Sequence, residues 1–309
     1  MQRRRACAYA SHEPQWGPAL TCRGAKAAIV QAIAAAVFLA GCAGRPEIIQ
    51  DREAPEFGHS AALTPLLPPL DGSGLSSDDR GAPARRIRVG TSVEGRPLVV
   101  EVFGAGPVTA LVIGGIHGDE GAGVAVARRL AEFLGRSPQA ARGRAIAILA
   151  EANPDGAARH TRTNANGVDL NRNFPARNWR AGRKDRSDYG GPAPASEPET
   201  QAILRVAERL QPDRLFALHG TASQKPCNNY DGPAAGFAQL MAARNGYPVL
   251  ASIGHPTPGS LGNWAGVDRG IPIITLELPE GRSGGECWEQ NRQALVEALS
   301  ADGPATSRP

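Results

Sequence analysis

Val108-Thr109-Ala110-Leu111-Val112-Ile113-Gly114-Gly115-Ile116-His117-Gly118-Asp119-Glu120 is the stretch from which the fold can be read. Its first six residues are a short apolar run closed by a glycine pair, the pattern of a strand buried on both faces. Gly121 to Leu134 then repeats its apolar residues at helical spacing. Outward from this unit the same alternation recurs. Arg86 to Val89 and Leu98 to Phe103 flank Glu94-Gly95-Arg96-Pro97 and predict a hairpin. Ala145 to Ala150, Arg214 to Leu218 and Ile271 to Leu278 are further strands. Helices are expected around Pro233 to Arg244 and Glu286 to Leu299, and from Ser196, where Ser196-Glu197-Pro198-Glu199 has the spacing of a capping box. Strands alternating with helices predict an α/β fold with helices on both faces of its sheet. Ligands of such sheets gather at the carboxyl ends of the strands.

The remainder of the chain is organised differently. Arg23 and Lys26 precede an apolar run from Ala27 to Ala40 that ends in Leu39-Ala40-Gly41-Cys42. The run is short for a membrane span and closes on small residues, so residues 1–42 read as an export leader. Residues 43–84 are rich in Pro, Gly, Ser and Asp and read as a flexible linker. One domain is expected over 85–300, followed by a disordered tail over 301–309. Of five cysteines, only Cys227 and Cys287 fall in that domain, where they would either pair or remain buried thiols. The formal charge of +4 owes part of its sign to leader arginines, and no basic stripe interleaved with aromatics is present, so no nucleic-acid partner is expected.

Three groups of residues suggest chemistry. His117 and Glu120 are three apart among glycines, close enough to grip one ion if the backbone turns tightly. His219 closes the strand Arg214 to Leu218 and so matches His117 in place. Two histidines and a carboxylate at strand ends can form a three-ligand zinc site with an open position. Glu277 stands in an apolar strand, where an acid is expensive to bury; it would either face solvent on an edge strand or work as a general base or acid beside the metal. Between these lies Arg162-Thr-Asn-Ala-Asn-Gly-Val-Asp-Leu-Asn-Arg-Asn-Phe-Pro175. It has neither helical nor alternating periodicity and reads as an irregular loop whose arginines suit carboxylate recognition.

The ordered set His117-x-x-Glu120, Asn153-Pro154-Asp155-Gly156, Asp169-Leu170-Asn171-Arg172-Asn173-Phe174, His219 and Glu277 resembles the zinc metallocarboxypeptidase superfamily. The flanking Asn164-Ala165-Asn166-Gly167-Val168, Ser196-Glu197-Pro198-Glu199-Thr200-Gln201-Ala202 and Thr257-Pro258-Gly259-Ser260 resemble its murein peptide amidase branch. The resemblance implies a mixed, doubly wound sheet with one Zn2+ held by His117, Glu120 and His219. It implies that Glu277 moves the protons, and that Arg162 polarises the scissile carbonyl and stabilises the oxyanion. Asn171 and Arg172 would hold a substrate carboxylate, and Asp169 would orient the first zinc histidine. One position departs from the branch: Gly220 follows His219 where an acid is expected. The Leu-Ala-Gly-Cys end of the leader resembles a bacterial lipobox, implying lipidation at Cys42 and a periplasmic, membrane-anchored protein.

The expected activity is therefore hydrolysis of an amide bond beside a free carboxylate in cell-wall peptides, with the γ-D-glutamyl–diaminopimelate bond as the implied target. An N-acyl amino acid deacylase of the succinylglutamate desuccinylase or aspartoacylase type shares the two histidines and glutamate and is the alternative. A non-catalytic, lipid-anchored protein that captures wall peptides is the third reading.

Overall fold

A computed structural model describes residues 85–221, 225–251 and 257–302. The expected leader, Cys42 and the linker lie outside the described residues, as does most of the expected tail. Ala301 and Asp302 are described: the Ala301 carbonyl accepts a 2.8 Å hydrogen bond from Arg214 Nη1, and Asp302 pairs with Arg144.

Among the described residues, eight strands form one mixed sheet. They are β1 (Arg85–Thr91), β2 (Pro97–Phe103), β3 (Val108–Gly114), β4 (Ala145–Leu149), β5 (Arg214–Thr221), β6 (Cys227–Asp231), β7 (Val249–Leu250) and β8 (Ile273–Pro279), in the order β1-β2-β4-β3-β5-β8-β6-β7. The centre is parallel, with β4, β3, β5 and β8 side by side, while β2 and β6 join it antiparallel. The chain winds from β3 outward to β4 and then returns to place β5 on the other side. The strand order thus reverses around β3, the position where α/β sheets open a crevice.

The helices are α1 (Gly121–Arg136), α2 (Pro154–Arg159), α3 (Pro198–Leu210), α4 (Ala235–Asn245) and α5 (Gly284–Ser300). Both faces of the central strands are buried, which explains the uninterrupted apolar run of β3. Ala110, Val112, Phe216 and Leu218 pack into one cluster with residues of α1, α4 and α5. Leu111, Ile113, Leu215 and Ala217 pack into the other, with α3, Leu170, Phe174, Leu261 and Trp264. Truncating Leu111, fully buried at the centre, to Ala would remove ~2–5 kcal/mol of stability.

One local expectation changes, and one alternative left open by the sequence is decided. The capping box expected at Ser196–Glu199 does not form: Glu197 is the N-cap of α3 and makes no side-chain cap bond. The physical reason is competition, since the Glu199 carboxylate accepts from Val93 N–H and Asn164 Nδ2 instead. A capping box does form at α5, between Ser283 and Glu286. Cys227 and Cys287 are separate, free, buried thiols.

Candidate metal centre

His117, Glu120 and His219 converge where β3 and β5 end. After β3 the chain turns at Gly115, whose φ of 63° suits glycine, and brings His117 over the sheet. Glu120 occupies the N-cap position of α1 without capping it, because its carboxylate points to the histidines. His117 Nδ1 lies 2.7 Å from Glu120 Oε1, His219 Nδ1 lies 2.8 Å from Glu120 Oε2, and the two Nδ1 atoms are 3.2 Å apart. Gly220 N–H donates to Glu120 Oε2 at 2.9 Å. A Cβ at position 220 would stand 3.3 Å from Glu120 Cγ, so the glycine leaves room for the carboxylate.

This donor set fits a zinc ion. Bonds of ~2.0–2.1 Å to tetrahedral zinc place neighbouring ligand atoms roughly 3.3 Å apart, close to the 3.2 Å between the two imidazole nitrogens. His117 Nε2 lies 3.0 Å from Asp169 Oδ1. A carboxylate can only accept, so this bond puts the proton on Nε2 and leaves the Nδ1 lone pair for the cluster. Asp169, fully buried, also accepts from Asn171 N–H at 2.8 Å and from Arg162 Nε at 3.1 Å.

The electrostatics agree with a site built for positive charge. Burial works against a charged His117, yet Glu120 and Asp169 push its pKa up to about 9. Burial likewise opposes ionisation of Glu120, but His117 and His219 hold its carboxyl well below the usual range. Asp169 is also held low, by His117, Arg162 and Arg172 against its burial.

Glu277 stands on β8 directly opposite His219 in the β5–β8 register, so the two side chains share a sheet face. Its carboxyl has no hydrogen-bond partner among the described residues, and burial raises its pKa, reinforced by Glu120 and opposed by His219. On its other side the antiparallel register places Cys227 opposite Glu277, so His219, Glu277 and Cys227 form a row across three strands. Burial, with Glu277 adding to it, pushes the Cys227 thiol up to about 11.

The loop expected over 162–175 is irregular apart from a 3-10 turn at Leu170–Arg172. It brings Arg162 to the rim of the cluster, with Nη1 3.3 Å from His117 Nδ1 and 3.5 Å from Glu120 Oε1. Asn171 Oδ1 accepts from Leu261 N–H at 2.9 Å, so its Nδ2 is the end left to donate. Arg172 is largely buried, and its Nη1 donates to the Asn171 carbonyl at 2.7 Å. The segment Thr257–Ser260 docks onto this loop through Phe174 N–H to the Gly259 carbonyl, and Gly259 N–H reaches Asn178 just beyond it.

Asn153-Pro154-Asp155-Gly156 has a supporting task. Asn153 caps α2 by accepting from Gly156 N–H, and its Nδ2 reaches the Ile116 and Arg162 carbonyls. Asp155 pins the β1–β2 turn through Ser92 Oγ, Glu94 N–H and Arg96. Sequence reading quoted Asn164, Glu197 and Glu199 within motifs but gave them no role in this region; Asn164 meets the two acids across 33 and 35 residues, which no local pattern signals.

Comparison with known proteins agrees with this geometry. A family profile described as zinc carboxypeptidase matches residues 81–230. Murein peptide amidase A of Escherichia coli K12 is 34% identical over 215 residues, covering 65% of this chain and 84% of its own. The crystal structure of murein-tripeptide amidase MpaA from Escherichia coli O157 superposes with a TM-score of 0.59 at 30% identity, covering 77% of this chain and 99% of that one. The carboxypeptidase A of Helicoverpa armigera, at 17% identity and a TM-score of 0.60, covers 70% of this chain and 68% of its own and shares the fold.

Proposed function

We propose, from the premise that this chain belongs to the zinc carboxypeptidase family and is a hydrolytic metalloenzyme, that it cleaves an amide bond beside a free carboxylate in murein peptides. The observation that carries the reading is the meeting of His117, Glu120 and His219 next to Glu277 and Arg162. One zinc ion held by His117, Glu120 and His219 would acidify water towards a pKa of ~7 and polarise a carbonyl. Glu277 takes the proton of the attacking water and delivers it to the leaving amine. A carboxyl raised by burial is suited to both halves of that exchange. Arg162 Nη1, already at the cluster's rim, stabilises the charge that develops on the carbonyl oxygen. Asn171 Nδ2 and the Arg172 guanidinium hold the substrate's free carboxylate, and Asp169 keeps His117 in the tautomer that binds metal. The γ-D-glutamyl–diaminopimelate bond is the target this reading favours, supported by the similarity to murein peptide amidase A.

Zinc-loaded protein given defined murein peptides should release the carboxylate-bearing product and spare peptides amidated at that carboxylate. Equal turnover of both would sink the clamp, and preference for N-acyl amino acids would favour the deacylase alternative. Glu277→Gln should retain zinc and lose ~10²–10⁴ in kcat; full turnover without Glu277 would remove its role. We also propose export and lipid anchoring at Cys42, supported by Leu39-Ala40-Gly41-Cys42 after an apolar run. Labelled palmitate should enter the wild-type protein in bacterial cells and not Cys42→Ala; equal labelling would exclude Cys42 as the anchor.

A further inference from the structure

Two buried carboxylates take no part in the chemistry above. Glu197 and Glu199, 2% and 0% exposed, flank Pro198 at the start of α3. Burying an acid is costly, and Glu197, the N-cap residue, makes no side-chain cap bond. The two carboxylates accept instead from Asn164 and Asn166 at one end of the 162–175 loop, from Ser196 Oγ and from Val93 N–H.

At the first end stands Asn164. Its Nδ2 donates to Glu197 Oε2 at 2.7 Å and to Glu199 Oε2 at 3.1 Å. Its Oδ1 accepts the N–H groups of Asn166 and Val168, both at 3.1 Å, so the amide can face the carboxylates only with its nitrogen. Asn166 Nδ2 adds a 2.8 Å bond to Glu197 Oε2. At the second end stands Asn173, whose Oδ1 accepts Glu197 N–H at 3.2 Å. Its Nδ2 meets Ser196 Oγ at 3.0 Å, and that hydroxyl donates to Glu197 Oε1 at 2.7 Å. Asp169, Asn171 and Arg172 lie between these anchors, and Arg162 lies two residues before the first.

We infer that Glu197 and Glu199 are positioning residues: their buried carboxylates fasten Asn164 to the start of α3 while Glu197 N–H and Ser196 Oγ fasten Asn173, and together these anchors hold Arg162, Asp169, Asn171 and Arg172 in place. The functional consequence rests on the role of Arg162 proposed above. Donor and acceptor chemistry sets the two acids apart. Glu199 accepts from Val93 N–H at 3.0 Å and from Asn164 Nδ2, two groups that can only donate. A glutamine there must turn its NH2 towards one of them. Glu197 has the Ser196 hydroxyl on one oxygen, which can reverse and accept from a glutamine NH2.

The test compares Glu199→Gln, Glu197→Gln and Asn164→Asp in the zinc-loaded full chain by amide hydrogen exchange, metal content and kcat. Asn164→Asp keeps the acceptor for Asn166 and Val168 but loses the donor to both acids, so it probes the same link should Glu199→Gln not fold. Glu199→Gln and Asn164→Asp should speed exchange over 164–173 about tenfold or more while β3 and β5 stay protected, zinc stays bound and kcat falls about tenfold. Glu197→Gln should change each by less than about threefold. In an Arg162→Ala background the kcat loss from Glu199→Gln should vanish. Unchanged loop exchange, or acceleration spread equally over β3 and β5, overturns the inference. Faster loop exchange with the kcat loss persisting without Arg162 leaves the positioning intact and assigns the loss to Asp169, Asn171 or Arg172 instead of Arg162.

Discussion

The metal cluster and the loop that faces it are held by different means. His117 and His219 are placed by adjacent parallel strands, β3 and β5, whose Gly114↔Leu218 pairing sets how their ends meet. Arg162, Asp169, Asn171 and Arg172 stand on a loop whose only regular piece is a three-residue turn. That loop is fixed by side-chain amides and buried acids rather than by a ladder. Backbone pairing is shared among many bonds, so the loss of one moves little. A side-chain brace concentrates the work in a few groups, so the loop's geometry should fail at single substitutions.

Breaking the strand-held part should have the largest effect. His219→Ala removes one donor while leaving Glu120 accepting from Gly220 N–H, so the fold should survive with zinc content and hydrolysis both reduced to background. Stoichiometric zinc in this variant, measured by elemental analysis, would refute the ligand set. Arg162→Ala attacks the loop-held part: kcat should fall ~10²–10³ with zinc unchanged, as for loss of one oxyanion donor. A change confined to KM would move Arg162 from the oxyanion to substrate binding.

Asp169→Asn tests the joint between the two regions, because this one carboxylate holds both His117 and Arg162. Zinc affinity should weaken ~10–100-fold, read by competition with a chelator of known strength. The smallest effect concerns pH in metal-free protein. His117 is raised from 6.5 to about 9, so its contribution to stability is complete below about 6.5 and is lost as pH rises through about 9. The melting temperature of chelated protein should decline across that window. Zinc-loaded protein should not follow it, because metal replaces the proton, and binding at pH 7 should release about one proton. Parallel pH profiles with and without zinc would show that His117 does not titrate there.

Much of the sheet was legible because β3, β4, β5 and β8 are largely buried on both faces and appear as mainly apolar runs. β6 was not, since Cys-Asn-Asn-Tyr-Asp carries buried amides in place of an apolar run. Asn228, fully buried, is satisfied by Asn245 and the Tyr247 carbonyl, partners that local pattern cannot reveal. The Ser196–Glu199 box misled for a related reason. Its spacing suits a cap, but Glu199 finds Asn164, 35 residues away, and Val93, 106 away.

By itself the sequence determined the alternation of buried strands and helices, and the residue types that can bind a metal, move a proton and hold an anion. Those follow from local properties: apolar periodicity, backbone freedom at glycine and side-chain chemistry. Only the tertiary structure decided that two nitrogens 102 residues apart meet at 3.2 Å, that Glu277 shares a row with His219, and that Glu197 and Glu199 at the start of α3 both meet Asn164. Strand register and buried hydrogen-bond partners join distant segments, and no short window of sequence contains both members of such a pair.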